Sequence, residues 1–330
     1  MRRILKVLLG AAILFIAAGV SLSACATRDI PYATLQARYE LPGGQYYEPS
    51  PGLRIHYLDE GLRSGPTLVL VHGFAASVHA WRPWVERLKS RYHLISLDLP
   101  GHGLTEAPKG YHASLDGDGD LVAGLATSLG ADRFVLIGNS MGGAVAWDYA
   151  LRHPERLDGL VLIDSAGWPG KSGASGPPPF VFALISNPLG RAIAKLLNPR
   201  DLAKGGLQSA YLDPTLVTDE LIGRYADLAL APGHRDILLT MKSRPGQRVT
   251  AQTFSAIATP TLVMAGEQDK IIPVAQSRAI AAAIPGARLV IYAAGGHVPM
   301  EQLPDASAAD LVAFLETLPV AQADAFAHRK

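Results

Sequence analysis

Two hydrophobic patterns alternate along the chain. Short continuous apolar runs stand at Thr67–Val71, His93–Leu97, Phe134–Ile137, Leu160–Ile163, Thr261–Ala265 and Arg288–Tyr292. Runs of this length suit strands buried on both faces. Leu53–Tyr57 alternates instead, which predicts a strand with one polar face. Leu115–Leu129 and Gly142–Arg152 carry apolar residues at helical spacing, and the second stops at His153-Pro154. Helices are also predicted at Val274–Ile284 and Pro304–Leu318. Strands alternating with helices predict a mostly parallel α/β sheet.

The alternation breaks between residues 167 and 250. This stretch opens with Gly167-Trp168-Pro169-Gly170 and Gly176-Pro177-Pro178-Pro179, then turns helical through the apolar Phe180–Ile185 and Ile193–Leu197. It is too long for a structureless connection in a compact domain. A helical cap inserted between two sheet strands is therefore expected at 167–250, on a core at 51–166 and 251–320. Residues 25–50 contain Pro31, Pro42, Gly43, Gly44 and Pro49 and read as a tether. Residues 321–330 are expected to form a loose tail.

The first 24 residues read as an address. Arg2, Arg3 and Lys6 precede an apolar run from Val7 to Val20. As a helix that run would span about 21 Å, short of the roughly 30 Å of a bilayer core. A basic start, a short apolar run and small residues make a secretory signal. Leu22-Ser23-Ala24-Cys25 resembles the lipobox of bacterial lipoproteins, which implies cleavage before Cys25 and an acyl anchor on it. An uncleaved N-terminal membrane anchor is the alternative. The expected location is the cell envelope, lipid-anchored, with Ala26 favouring the outer membrane. Removing residues 1–24 takes away three basic residues and no acids, so attachment rests on lipid chains rather than on charge.

Composition narrows the function. Near-equal Lys+Arg (30) and Asp+Glu (29) exclude a broad basic surface, so nucleic acid is not an expected partner. A hydrophobic content of 48% excludes a disordered polymer. The single Cys excludes an internal disulfide and any Cys-rich metal site. No ligand cluster suggests a metal or cofactor.

The chemistry concentrates at Gly138-Asn139-Ser140-Met141-Gly142, directly after one strand run and before a helix. This is the strand–turn–helix context of a nucleophile elbow, where side chains two positions either side of the serine would collide with neighbouring backbone. A serine hydroxyl needs a base, and the base needs an orienting carboxylate. His297, in Gly295-Gly296-His297 past Arg288–Tyr292, is the candidate base. Asp269, past Thr261–Ala265, is the candidate acid, with Asp164 at the end of Leu160–Ile163 as a rival and Glu267 as a weaker one. All lie at strand ends on the edge where open α/β sheets bind ligands. The oxyanion would be held by the N–H groups of Met141 and of Phe74, in the His72-Gly73-Phe74 loop. Candidate substrate contacts are His72 and Gly73 from that loop and Phe180 and Phe182 from the cap. The Asp98–Gly103 turn reads as structural, near the pocket rim.

Together the His72–Phe74 loop, the Asp98–Gly103 turn, the Gly138–Gly143 elbow, Asp269 and His297 resemble the α/β-hydrolase superfamily over about Leu53 to Leu318. The resemblance implies a mostly parallel central sheet flanked by helices, with an inserted helical cap. Ser140 argues against the dehalogenases and epoxide hydrolases, which use Asp as nucleophile. The Gly138-Asn139-Ser140-Met141-Gly142-Gly143 form is similar both to C–C hydrolases of ring-fission products and to monoacylglycerol-type lipases. C–C hydrolases commonly carry Trp soon after the histidine, whereas Val298-Pro299-Met300-Glu301 follows here. The reading is therefore a serine hydrolase of carboxylic esters acting on an acyl or aromatic ester without a cofactor. The alternatives are a C–C bond hydrolase, a thioesterase or amidase, and a non-catalytic lipid-tethered binding protein.

Overall fold

Every buried apolar run becomes a strand of one sheet in the computed structural model, which describes residues 28–169, 188–194, 197–240 and 249–319. The signal segment, Cys25, the stretch holding Phe180 and Phe182, and the tail at 321–330 lie outside the described residues. The strands are β1 (Gln45–Ser50), β2 (Leu53–Gly61), β3 (Thr67–Val71), β4 (His93–Leu97), β5 (Phe134–Asn139), β6 (Leu157–Ile163), β7 (Thr261–Gly266) and β8 (Arg288–Tyr292). Their order across the sheet is β1-β2-β4-β3-β5-β6-β7-β8. β1 and β2 pair antiparallel, as do β2 and β4; every other neighbouring pair is parallel.

Successive side chains of the central strands enter opposite faces, so the sheet has two cores. Val69, Val71 and Leu136 join Trp147 and Phe254 on one face. Leu68, Leu70 and Ile137 join Trp81, Trp84 and Phe314 on the other. The helix Met141–Arg152 is buried along nearly its whole length on the first face. Pairing of Val71 with Gly138, Asn139 with Ile163, Ile163 with Met264 and Gly266 with Tyr292 aligns the carboxyl ends of β3, β5, β6, β7 and β8 along one edge.

Between β6 and β7 the described residues form the helices Pro188–Ala194, Pro199–Ala210, Asp219–Leu228 and His234–Thr240. In the apolar run Ile193–Leu197, Ile193 is 41% exposed, while Ala194 and Leu197 face the cavity beside Ser140.

Residues 32–50 correct the expectation of a tether. Tyr32–Tyr39 is a helix, with Leu35 fully buried, and β1 is an edge strand on β2. The prolines punctuate rather than dissolve this segment. Pro31 caps the helix, where its missing N–H has no partner to lose, and Pro49 sits on the exposed edge strand. Leu35 packs with Leu104, Leu228 and Ala231. Ile30 N–H donates to the Leu230 carbonyl (2.8 Å), and Arg38 and Tyr39 both donate to Asp227 (3.0 and 2.8 Å). Arg235 meets Asp29 at 2.7 Å. The leading segment is thus bonded to the helical insertion.

Candidate active site

Ser140 stands between β5 and the helix Met141–Arg152 with φ 55° and ψ −114°. This left-handed conformation is costly for a residue bearing a Cβ, about 1–3 kcal/mol, and persists only where its surroundings enforce it. Three backbone hydrogen bonds do so. Ser140 N–H donates to the Ile163 carbonyl (2.9 Å), and its own carbonyl accepts from Ala144 (3.1 Å) and Ala166 (3.0 Å). The flanking glycines are sterically required. A Cβ on Gly138 would overlap the Gly142 carbonyl, and one on Gly142 would overlap the carbonyl of Val71 at the end of β3. The serine therefore projects from the sheet's carboxyl edge at a helix N-terminus, where positive peptide dipoles favour developing negative charge.

His297 and Asp269 reach the same edge from β8 and β7. His297 Nδ1 donates to Asp269 Oδ2 at 2.7 Å, and both residues are buried. Asp269 Oδ1 accepts from the N–H groups of Ile271 (2.7 Å) and Ile272 (3.0 Å), so the carboxylate is gripped on both oxygens. His297 is fixed by its main chain. Its N–H donates to the Ala210 carbonyl (2.8 Å), and its carbonyl accepts from Asn139 Nδ2 (3.1 Å). The turn before it needs glycine, since a Cβ on Gly296 would sit 2.5 Å from the Ala210 carbonyl.

Asp164, the rival acid, is in the same cluster. It follows β6 directly with φ 42°, is fully buried, and accepts from Gly266 N–H at 3.1 and 3.3 Å on its two oxygens. Burial, followed by the Asp269 charge, pushes its carboxyl well above the usual carboxylate range. Glu267 is half exposed and pairs with Arg278 instead (2.9 Å).

The loop after β3 closes over Ser140. A Cβ on Gly73 would lie 2.9 Å from Asn139 Oδ1 and 3.2 Å from Ser140 Cβ. Gly73 and Phe74 line the cavity with Ser140 and His297. His72 corrects the expectation of a substrate contact, because it is fully buried beneath the loop. Its Nε2 accepts from Leu99 N–H (3.1 Å), so Nδ1 carries the proton and donates to the Gly73 carbonyl (2.8 Å). Burial holds this imidazole below its ordinary pKa, in keeping with that neutral, accepting ring.

The Asp98–Gly103 turn is held from within. Asp98 Oδ1 accepts from Val78 N–H (2.8 Å), and Oδ2 accepts from Leu104 N–H (2.9 Å) and His56 Nδ1 (2.6 Å). The other His56 nitrogen donates to Glu40 Oε1 at 2.8 Å. Burial opposes charge on this imidazole, but the two carboxylates outweigh it and raise its pKa. Gly103 is obligatory, since a Cβ there would overlap the Asp98 carboxyl. His102 packs against the rings of His72 and Phe74 at centroid distances of 4.9 and 6.2 Å.

Sequence reading did not single out Asn139, whose amide ties the ends of β5 and β6 to the His297 loop. Nor did it find Leu202, Leu207, Tyr211, Tyr225, Leu238 and Ile271, which line the cavity. Phe180 and Phe182 fall outside the described residues. Among the described residues no group of three or more His, Cys, Asp or Glu is arranged to hold a metal ion.

Residues 66–303 match the family model of the alpha/beta hydrolase fold. A 2-hydroxymuconate semialdehyde hydrolase of Pseudomonas sp. is 31% identical over 259 residues, covering 74% of this chain and 84% of that protein. A meta-cleavage product hydrolase from Pseudomonas fluorescens superposes with a TM-score of 0.68 at 26% identity, over 80% of this chain and 94% of that one. A membrane phospholipase A described as a bacterial virulence factor has the same TM-score at 29% identity, but over 96% of this chain and 98% of its own. With the elbow, the sheet order and the family match in agreement, this chain belongs to the alpha/beta hydrolase fold family.

Proposed function

We propose that the protein is a serine hydrolase of acyl esters with lipid-like substrates. Ser140 Oγ attacks the ester carbonyl while His297 Nε2 takes its proton, and Asp269 orients the imidazole and stabilises its charged form. The N–H groups of Met141 and Phe74 receive the oxyanion. His297 returns the proton to the departing alcohol, then activates the water that releases the acid from Ser140.

The observation that carries this reading is the cavity beside Ser140. It holds about 180 Å³ and is bounded by aliphatic side chains including Leu202, Leu207, Leu238, Ile271 and Val298. An apolar cavity of about 150 Å³ already stays dry and takes a hydrocarbon guest. Among the described lining residues Arg235 is the charged one, and its guanidinium is ion-paired with Asp29. The near-full-length match to the membrane phospholipase A supports the same reading. Export and lipidation at Cys25 belong to it, and the mass of the mature N-terminal peptide tests them.

A second reading, hydrolysis of a C–C bond, is favoured by the relatives whose named substrates are dienoates or semialdehydes. Such dienoates carry a carboxylate, for which this cavity offers little beyond the paired Arg235. The test is turnover by the full chain in detergent of nitrophenyl esters of graded acyl length, a lysophospholipid and a ring-fission dienoate, each beside Ser140→Ala. Ester and lysophospholipid turnover that vanishes in the variant is expected. Dienoate cleavage with inert esters would replace the ester reading by the C–C one.

A further inference from the structure

The strand-end carboxyl that does not touch His297 has a place in the site. Asp164 and Asp269 meet around Gly266, whose N–H donates to the Asp164 carboxyl and whose carbonyl accepts from Asp269 N–H at 3.4 Å, and neither carboxyl has exposed surface. Two buried carboxylates placed side by side cannot both be ionised. The donors around them decide which one keeps the charge. Asp269 receives three: Ile271 N–H, Ile272 N–H and His297 Nδ1–H. Asp164 receives only Gly266 N–H, shared between its oxygens. The other titratable group that senses Asp164 is the Tyr292 phenol on β8, itself a donor to Asp310 at 3.0 Å.

We propose that Asp164 is a positioning residue, a neutral carboxyl whose O–H is the fourth donor to Asp269 and holds that carboxylate square to His297. The inference rests on the reading of Ser140, His297 and Asp269 as a triad. Its physical content is a fixed charge. With the proton on Asp164, the Asp164–Asp269–His297 group carries a single negative charge at rest, and one positive imidazolium neutralises it during turnover. An ionised Asp164 would double that charge beside the imidazole. The left-handed backbone at Asp164 is one that Asp and Asn adopt more readily than most side chains, and its carboxyl meets the Gly266 N–H at the end of β7.

Two variants and one spectrum test this in the full chain. Asp164→Asn keeps a neutral donor toward Asp269 and an acceptor toward Gly266. It is expected to retain kcat/KM within about tenfold, with the acid limb of its pH profile, which reports His297, in place. Asp164→Ala removes the donor and is expected to lower kcat by about 10–100-fold with KM little changed. The infrared spectrum at pH 7 should show one protonated-carboxyl band in wild type that Asp164→Asn lacks, independently of turnover. The proposal is overturned by an acid limb lowered by about one pH unit or more in Asp164→Asn, the mark of a lost charge. A missing difference band, wild-type kcat in Asp164→Ala, or a folded Asp164→Asn that fails to recover the alanine variant's loss would overturn it equally. Failure of the triad reading shows separately, as turnover that survives Ser140→Ala.

Discussion

Replacing Asp118 by Asn should make the protein more stable at neutral pH. Asp118 lies in the first turn of the helix Leu115–Ser128, fully buried, with no hydrogen-bond partner on either oxygen among the described residues. The nearby Arg152 is committed elsewhere, donating to Asp120 (2.7 Å), Asp148 (3.0 Å) and the Asp116 carbonyl (3.0 Å). Burial, with a smaller contribution from Asp116, raises the Asp118 pKa from 3.8 to about 8. The unfolded chain releases this proton near pH 4, whereas the folded chain keeps it. Folding must then take up a proton, and stability falls as pH rises between those values. The slope is about 1.4 kcal/mol per pH unit, which accumulates to about 4 kcal/mol by pH 7. Asn has nothing to titrate and escapes this loss. Its own unsatisfied amide carries a burial penalty, but that penalty is independent of pH.

Urea unfolding followed by tryptophan fluorescence, at pH 5, 6 and 7, gives the stability difference between variant and wild type. The other ionisable groups largely cancel in that difference. It should grow in favour of Asn by about 2.7 kcal/mol from pH 5 to pH 7, a midpoint displacement approaching 1 M at an m-value of about 3 kcal/mol/M. A difference that stays flat over this range would refute the reasoning, because Asp118 would then be ionised in the folded state despite its burial.

Two further expectations follow from the same geometry. Gly142→Ala places a methyl group into the Val71 carbonyl, and the displaced elbow should lose about 100-fold or more in kcat/KM on a nitrophenyl ester while far-UV circular dichroism stays native. Asp98→Ala strips His56, Val78 and Leu104 of a shared buried acceptor and should lower stability by about 3–5 kcal/mol, read as a urea midpoint, although the residue lies outside the Ser140 cavity.

Much of the core was legible because its signals are local. An apolar run reports a doubly covered strand, and Gly138 and Gly142 report where a Cβ cannot fit, so Ser140 could be read without a fold. His297 and Asp269 were legible as strand-end residues, since the parallel register carries every such end to one edge. His72 was misread because a His-Gly pair after a strand gives the loop but not the direction of the imidazole, which the Leu99 N–H decides. Residues 32–50 were misread because prolines at a cap and on an edge strand look in sequence like prolines in a linker. Apart from Gly73, Phe74 and the run Ile193–Leu197, of which Ala194 and Leu197 face the cavity, the cavity wall was not legible. Leu202, Leu207, Leu238 and Ile271 come from separate elements, and only tertiary packing brings them together. Asp164 and Asp269 were posed as rivals because sequence shows two carboxyls at adjacent strand ends. It cannot show that Asp269 bonds the imidazole while Asp164 accepts from Gly266 N–H.

The stitching of the leading segment to the helical insertion has a mechanical consequence. Ile30, Arg38 and Tyr39 grip Leu230 and Asp227, and Asp29 grips Arg235, while Tyr225 and Arg235 face the cavity. Force applied at Asp29 and Ile30 is therefore borne first by the helices that wall the Ser140 cavity. A shortened chain starting at β2 would keep every strand of the parallel sheet and all of the Ser140 cluster, yet would leave that wall without its brace. The segment from Asp29 to Tyr39 buttresses the enclosure from outside without lining it.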